Sequence, residues 1–166
     1  MQLRPRDVGT DSYAAMVARA KALIPKLRER ASKTEELRRL PPETERDLHD
    51  AGLFRIVQPK RVGGSELDYV ALVDCADALG QADASVAWNF ANLASHHWML
   101  GMFDRQAQDA VWNKDADALI ASSFIFPAGR ARKVGWRICA ERPLAVLLGR
   151  GVQRLEHARQ RGFIGR

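Results

Sequence analysis

A helical repeat of apolar residues through the first two thirds of the chain is the feature that most constrains its fold. Apolar side chains recur every three or four residues, with lysine and arginine between them. We predict a first helix from Asp11 to about Leu40, which Pro25 should kink or divide. Pro42 is expected to begin a second helix, and Gly52 suits its C-terminal end.

Three further helices are predicted beyond the Gly63-Gly64 loop. The fourth, VAWNFANLASHHWMLGMF, is so apolar that we expect it to be buried on nearly every side, with at least one of Trp88 and Trp98 in the core. The predicted boundaries are Ser65 as N-cap and Gly80 as the end of the third helix, Asp83 or Ser85 as N-cap of the fourth, and Asp104 to about Trp112 for the fifth.

The pattern changes after the fifth helix. The segment ALIASSFIF is short, apolar and compatible with a β-strand that begins at Leu119, and the Pro127–Gly129 turn follows it. The sequence therefore predicts a mainly α chain in which five helices precede the first strand of another unit.

Charge and composition exclude several classes of protein. Of the 26 basic and 20 acidic residues, seven arginines and two glutamates lie in 135–166, which leaves 19 and 18 in the first 134 residues. This nearly neutral body does not predict nucleic-acid binding. No apolar run is long enough for a membrane span, and the N-terminus lacks the apolar region of a signal peptide. Two cysteines form no disulfide framework, so we expect a cytoplasmic location.

His96 and His97 are the first candidate site residues. Adjacent side chains on a helix point about 100° apart, so the two rings cannot share one metal ion, and no further ligand stands at a suitable spacing. No metal site is predicted. Each histidine is either a hydrogen-bonded core or interface residue or part of a functional site.

Ser122 and Ser123 are the second candidate pair, because hydroxyls inside an apolar strand need hydrogen-bond partners. They either bond to the neighbouring backbone or, at a strand end, contribute to a site for a polar ring.

Three segments together resemble a known family: LPPETERDLHDAGLFRIVQPKRVGG, LDYVALVDCADALGQADASVAWNFANLASHHWML and ALIASSFIFPAGRARKV. They are similar to consecutive N-terminal motifs of acyl-CoA dehydrogenase-fold proteins. Acyl-CoA dehydrogenases proper carry a Thr-Glu-Pro-rich loop after the strand, whereas SSFIFPAGRARKV looks like the oxygenase components of two-component aromatic monooxygenases. The resemblance implies the N-terminal helical domain of this fold, followed by the first strand of an incomplete β-domain.

The resemblance also implies chemistry. Such oxygenases hydroxylate a phenol with oxygen and a reduced flavin, FMN or FAD, which a separate flavin reductase supplies, and the complete proteins are homotetramers. The roles carried over are catalytic for His97 and Ser123, flavin-binding for Ser122, Ser123 and Phe124, and substrate-binding for Trp88 and His96. A neutral imidazole can assist a phenol in losing its proton.

The resemblance ends after Val134, where the sequence becomes rich in glycine and arginine and loses the period of a strand. Back-translation from Gly135, read one base later with permitted third bases, gives DGGFVLSGRWPFSSG, which resembles the continuation expected for the family. We therefore predict that residues 135–166 are an out-of-frame tail, poorly ordered or weakly attached.

The predicted organisation is a helical domain at 1–115, the start of a β-domain at 116–134 and the tail at 135–166. We expect this chain alone to be an inactive fragment that retains no flavin and leaves an apolar face exposed. Two alternatives remain at this point: a fragment of an acyl-CoA dehydrogenase that acts on an acyl thioester, and a small basic helical binding module.

Overall fold

A computed structural model describes residues 11–122, 131–135 and 137–140. It divides the chain into two compact units, with the boundary between Leu119 and Ile120. Within the first unit, α-helices α1 to α5 enclose one apolar core. The bounds are Tyr13–Leu37 for α1, Pro42–Asp50 for α2, Tyr69–Gly80 for α3, Ala84–Gly101 for α4 and Arg105–Trp112 for α5.

Helix α1 begins at a capping serine, since Ser12 Oγ accepts a hydrogen bond from the backbone N–H of Ala15. It ends at Leu37 because Arg38 adopts a left-handed conformation. The helix continues through Pro25 without being divided. The apolar residues that it buries lie on one face, as the apolar repeat predicts: Met16, Ala20, Leu23 and Leu27.

Helix α2 ends as predicted, since Gly52 takes a positive φ of 76° beyond its C-terminus. The chain then runs through two single turns of 3-10 helix, Leu53–Arg55 and Lys60–Val62. We call residues 53–64 the core segment, because it carries four buried apolar side chains: Leu53, Phe54, Ile56 and Val57.

The predicted start of α3 is wrong. Asp68, and not Ser65, caps the helix, and its carboxylate accepts a hydrogen bond from the N–H of Val70. The backbone N–H groups of residues 65–67 donate instead to carbonyls of the core segment, which keeps these residues out of the helix. The buried Ser65 hydroxyl donates to the Asp11 carboxylate over 2.8 Å.

The predicted caps of α4 and α5 are confirmed. Asp83 accepts hydrogen bonds from the N–H groups of Ser85 and Val86, and Asp104 accepts one from Ala107. Helix α4 packs against α3, α5 and the 3-10 turn at residues 53–55.

The expectation that α4 is buried on nearly every side is wrong. Trp88 is 72% exposed and Trp98 is 45% exposed, so neither lies in the core. Only one face of the helix is fully buried, because α3, α5 and the core segment cover one side within the first unit. The buried residues of α4 are Val86, Phe90, Ala94, His96 and His97.

The described part of the second unit contains a two-stranded antiparallel hairpin. Strand β1, Ala131–Val134, pairs with β2, Arg137–Ala140, and Gly135 has a φ of 63° at the turn. Residues 119–122 form no strand, contrary to the prediction for ALIASSFIF, and the rest of that segment lies outside the described residues. Strand β2 lies within residues 135–166, which were predicted to be poorly ordered or weakly attached. Residues 137–140 are ordered, contrary to that prediction, because their backbone pairs with β1 although side-chain alternation does not signal a strand.

None of the described helices is long and apolar enough to cross a membrane.

Gly64 gives a test of the packing around the core segment. A Cβ on Gly64 would overlap the backbone carbonyl of Gln58, whereas one on Gly80 would meet only Ala87 at an ordinary 3.6 Å. We expect Gly64→Ala to lower the free energy of unfolding by at least about 2 kcal/mol. Gly80→Ala should leave it unchanged or raise it slightly. Urea denaturation followed by circular dichroism measures both, and equal effects would show that this close approach is absent.

Candidate active site

His97 lies on the buried face of α4, where only 1% of the residue is exposed. Its ring stacks on that of Trp112, the last residue of α5, with the centroids 6.0 Å apart and the planes 11° from parallel. Both ring nitrogens are buried, and neither has a hydrogen-bond partner among the described residues. The residue is therefore not the hydrogen-bonded core histidine that was one of the two sequence interpretations.

The pKa of His97 is lowered to about 4, chiefly by burial and then by the nearby Arg55 guanidinium, while the Asp117 carboxylate acts in the opposite direction. The ring is therefore neutral at pH 7, with one nitrogen that can donate a hydrogen bond and one that can accept. Such a low pKa makes His97 a weak proton acceptor. Its chemistry is that of a neutral hydrogen-bonding group in a water-poor place.

His96 is buried but differs in its contacts. Its Nδ1 lies 2.6 Å from the backbone carbonyl of Asn92, one helical turn earlier. Since a carbonyl only accepts, Nδ1 carries the proton, and Nε2 is the acceptor in the neutral ring. The hydrogen bond fixes the orientation of the ring along α4.

Trp88 does not share a face with His97. Nine residues at 100° each place the two side chains on opposite sides of α4, which agrees with one being exposed and the other buried. The first unit therefore does not bring Trp88 and His97 into one pocket. The environment of His97 therefore gives no information about the predicted substrate role of Trp88.

The serine pair lies at the boundary of the described residues. Ser122 is exposed in the second unit, while Ser123 and Phe124 lie outside the described residues. The catalytic role of Ser123 and the flavin-binding roles of Ser122, Ser123 and Phe124 stay predictions.

A cluster beside His97 was not predicted from the sequence. Arg55 binds the Asp117 carboxylate through two parallel contacts of 2.6 Å, Nε to Oδ1 and Nη2 to Oδ2. His49 Nδ1 stands 3.8 Å from Asp117 Oδ1, and its ring packs on Phe54 with centroids 4.7 Å apart. His49 and Arg55 hold the pKa of Asp117 well below its usual range. No local pattern signals this cluster, because Arg55 and Asp117 are 62 residues apart.

A cleft on the surface of the first unit lies away from His97. It encloses about 410 Å³, and its walls include Tyr69, Trp98 and Met102, with the Tyr69 and Trp98 rings edge to face at 5.3 Å. The described catalytic candidate, His97, does not line it. The described residues also contain no group of three metal-ligating side chains.

The helical unit matches a known family. Residues 10–114 match the acyl-CoA dehydrogenase N-terminal domain. The chain therefore belongs to the acyl-CoA dehydrogenase family, and its helices form the N-terminal domain of that fold.

Within this family, the chain is similar to oxygenase components of flavin-dependent monooxygenases. It is 39% identical over 116 residues to the oxygenase subunit HsaA of Rhodococcus jostii, which covers 70% of this chain and 30% of the relative. It is 37% identical over 123 residues to the oxygenase component of p-hydroxyphenylacetate 3-hydroxylase from Acinetobacter baumannii, covering 74% and 29%.

A solved structure gives the same result. The HsaA monooxygenase from M. tuberculosis superimposes with a TM-score of 0.73 at 33% identity, covering 78% of this chain and 35% of that one. The chain thus spans about a third of the length of the relatives that it matches.

The lowered pKa of His97 predicts a particular pH dependence of stability. The ring takes up a proton near pH 6.5 when unfolded and only near pH 4 when folded, so the unfolded state binds more protons between these values. The stabilisation present above pH 6.5 should therefore be lost as the pH falls towards 4, by up to roughly 3 kcal/mol.

Urea titrations at half-unit pH steps from 7 to 4.5 measure this slope. The variant His97→Phe keeps a ring against Trp112 but removes the titrating group, so its slope over this window should be nearly flat. Ser95→Ala, a change on the same helix, should retain the slope. An unchanged slope in His97→Phe would assign the effect to other groups.

Proposed function

We propose that this chain is the helical part of the oxygenase component of a two-component monooxygenase that hydroxylates a phenol. The observation that carries the proposal is the 39% identity, over most of the helical unit, to a subunit described as a flavin-dependent monooxygenase. The similarity to the p-hydroxyphenylacetate 3-hydroxylase component supports a phenolic substrate. It favours this reaction over oxidation of an acyl thioester.

In the proposed reaction, a bound reduced flavin would supply two electrons to molecular oxygen, so that one oxygen atom of O₂ is transferred to the phenol ring and the other leaves as water. The observation that supports a role for His97 is its two buried ring nitrogens, which have no hydrogen-bond partner among the described residues. They can donate one hydrogen bond and accept another, which suits a phenol hydroxyl. Burial excludes water from this position, which strengthens each hydrogen bond made there.

The proposed roles are divided between the units. His97 orients the phenol and accepts its hydroxyl hydrogen in a hydrogen bond, and Ser123 is the second catalytic residue. Ser122, Ser123 and Phe124 contact the flavin. His96 and Trp88 contact the substrate.

The remaining features of the complete protein belong to the same proposal. A separate reductase supplies the flavin, FMN or FAD, and the complete oxygenase is a cytoplasmic homotetramer. Residues 1–115 form the helical domain, residues 116–134 begin the β-domain, and residues 135–166 are read out of frame. Sequencing the gene across codons 130–170 tests the last point: a family-like continuation one base later supports it, and a stop codon in that frame contradicts it.

A chimaeric enzyme tests the proposed activity. Residues 11–122 of this chain would replace the matching segment of HsaA from Rhodococcus jostii. We expect the chimaera to hydroxylate the substrate of the parent enzyme when it is supplied with flavin, a flavin reductase, NADH and oxygen. A correctly assembled chimaera that consumes reduced flavin without forming hydroxylated product would contradict the proposal.

The role of His97 is tested in the same chimaera. His97→Asn should lower the fraction of reduced flavin used for hydroxylation by about 10²-fold and raise hydrogen peroxide release, because the phenol is no longer oriented. Ser95→Ala on the same helix should have no effect. Unchanged coupling in His97→Asn would remove this histidine from the mechanism.

A further inference from the structure

The turn that follows α5 is fastened to the core segment from two directions. Its residue Asp117 holds Arg55 through the two parallel contacts described above. One residue earlier, the backbone carbonyl of Ala116 accepts a hydrogen bond of 3.0 Å from Nε2 of Gln58, a fully buried side chain. Contacts on consecutive residues leave this turn little freedom to move over the core segment.

Hydrogen bonds within the turn also stabilise it. The carboxylate of Asp115 accepts a hydrogen bond from the N–H of Asp117 over 2.9 Å, and its carbonyl accepts one from Ala118. Leu119 then packs against the apolar core. Residues 115–119 therefore form a fixed connection rather than a loose linker.

The same turn lies beside His97. Trp112, which stacks on the His97 ring, ends α5 only three residues before Asp115. The groups that interact electrostatically with the ring are Arg55, Asp117, His49 and His96, and the first three belong to the fastened cluster. The position of Trp112 over His97 thus depends on where the turn is held.

We propose that Arg55 and Asp117 are positioning residues that hold Trp112 and the post-α5 turn in place around the His97 ring. This inference rests on the proposed function, in which His97 orients the phenol. Neither residue contacts the ring through a hydrogen bond, so their role is exerted through the turn and through their opposite charges. The guanidinium fork is needed because an ammonium group cannot contact both carboxylate oxygens in this planar way.

The first test needs no flavin. NMR titration of the histidine rings in the full chain reports the pKa of His97. Arg55→Gln removes a positive neighbour and should raise this pKa, whereas Asp117→Asn removes a negative neighbour and should lower it further. A general loosening of the core would instead expose the ring and raise the pKa in both variants.

The chain offers a matched control. Arg61 and Asp109 form an ion pair with one 2.7 Å contact, also between the core segment and α5, and neither is among the groups that affect His97. Arg61→Gln and Asp109→Asn should leave the His97 titration unchanged. Shifts in the same direction in both Arg55→Gln and Asp117→Asn, or no shift in either, would overturn the proposal.

Arg55→Lys keeps the positive charge but removes the two parallel contacts with the Asp117 carboxylate. Because Asp117 keeps an ion-pair partner, the chain should fold. In the chimaeric oxygenase, this variant should lower the coupling of flavin oxidation to hydroxylation by at least about tenfold, while Arg61→Lys should not. Unchanged coupling in Arg55→Lys would overturn the positioning role. The proposed function is judged separately, by the activity of the unmutated chimaera.

Discussion

The core segment, residues 53–64, is the part on which the rest of the helical unit depends. It contains only two single 3-10 turns, yet it buries four apolar side chains and packs against α4. Its backbone carbonyls accept the N–H groups of residues 65–67, and its Arg55 and Gln58 side chains bind the turn after α5. A segment without long regular structure thus supplies hydrogen-bond partners to two neighbouring connections.

Local signals in the sequence were sufficient to predict most of the helices and their ends. The caps at Asp83 and Asp104, the glycine end of α2 and the apolar face of α1 depend on side chains within a few residues of the feature they control. The capping preference of Ser65 is also local, and it led to a wrong start for α3. Hydrogen bonds from residues 65–67 to the core segment override that preference.

The candidate site was predictable only in part. His97 stands out as a histidine within an apolar helix, but its stacking on Trp112 and its lack of hydrogen bonds depend on tertiary packing. The Arg55–Asp117 pair joins residues far apart in sequence and has no local pattern. Composition suggested that Trp88 or Trp98 would be buried, but an apolar helix can leave large side chains exposed on the face that its own unit does not cover.

The low pKa of His97 refines the chemistry expected from the family resemblance. A buried neutral ring with a pKa of about 4 is a poor general base at neutral pH, although it can orient a hydroxyl group. The contribution that we propose for His97 is therefore orientation of the phenol and exclusion of water, rather than removal of the phenol proton. The Arg55 guanidinium stabilises this neutral state, whereas the Asp117 carboxylate opposes it.

The most direct test of the central claim is the origin of the oxygen atom in the product. The chimaeric oxygenase would react with its phenol under ¹⁸O₂, and mass spectrometry would determine the isotope in the new hydroxyl group. Our interpretation predicts that this oxygen comes from molecular oxygen, so the label appears in the product. A product without the label, or an enzyme that oxidises an acyl thioester and transfers no oxygen, would contradict the claim that these helices belong to a phenol hydroxylase.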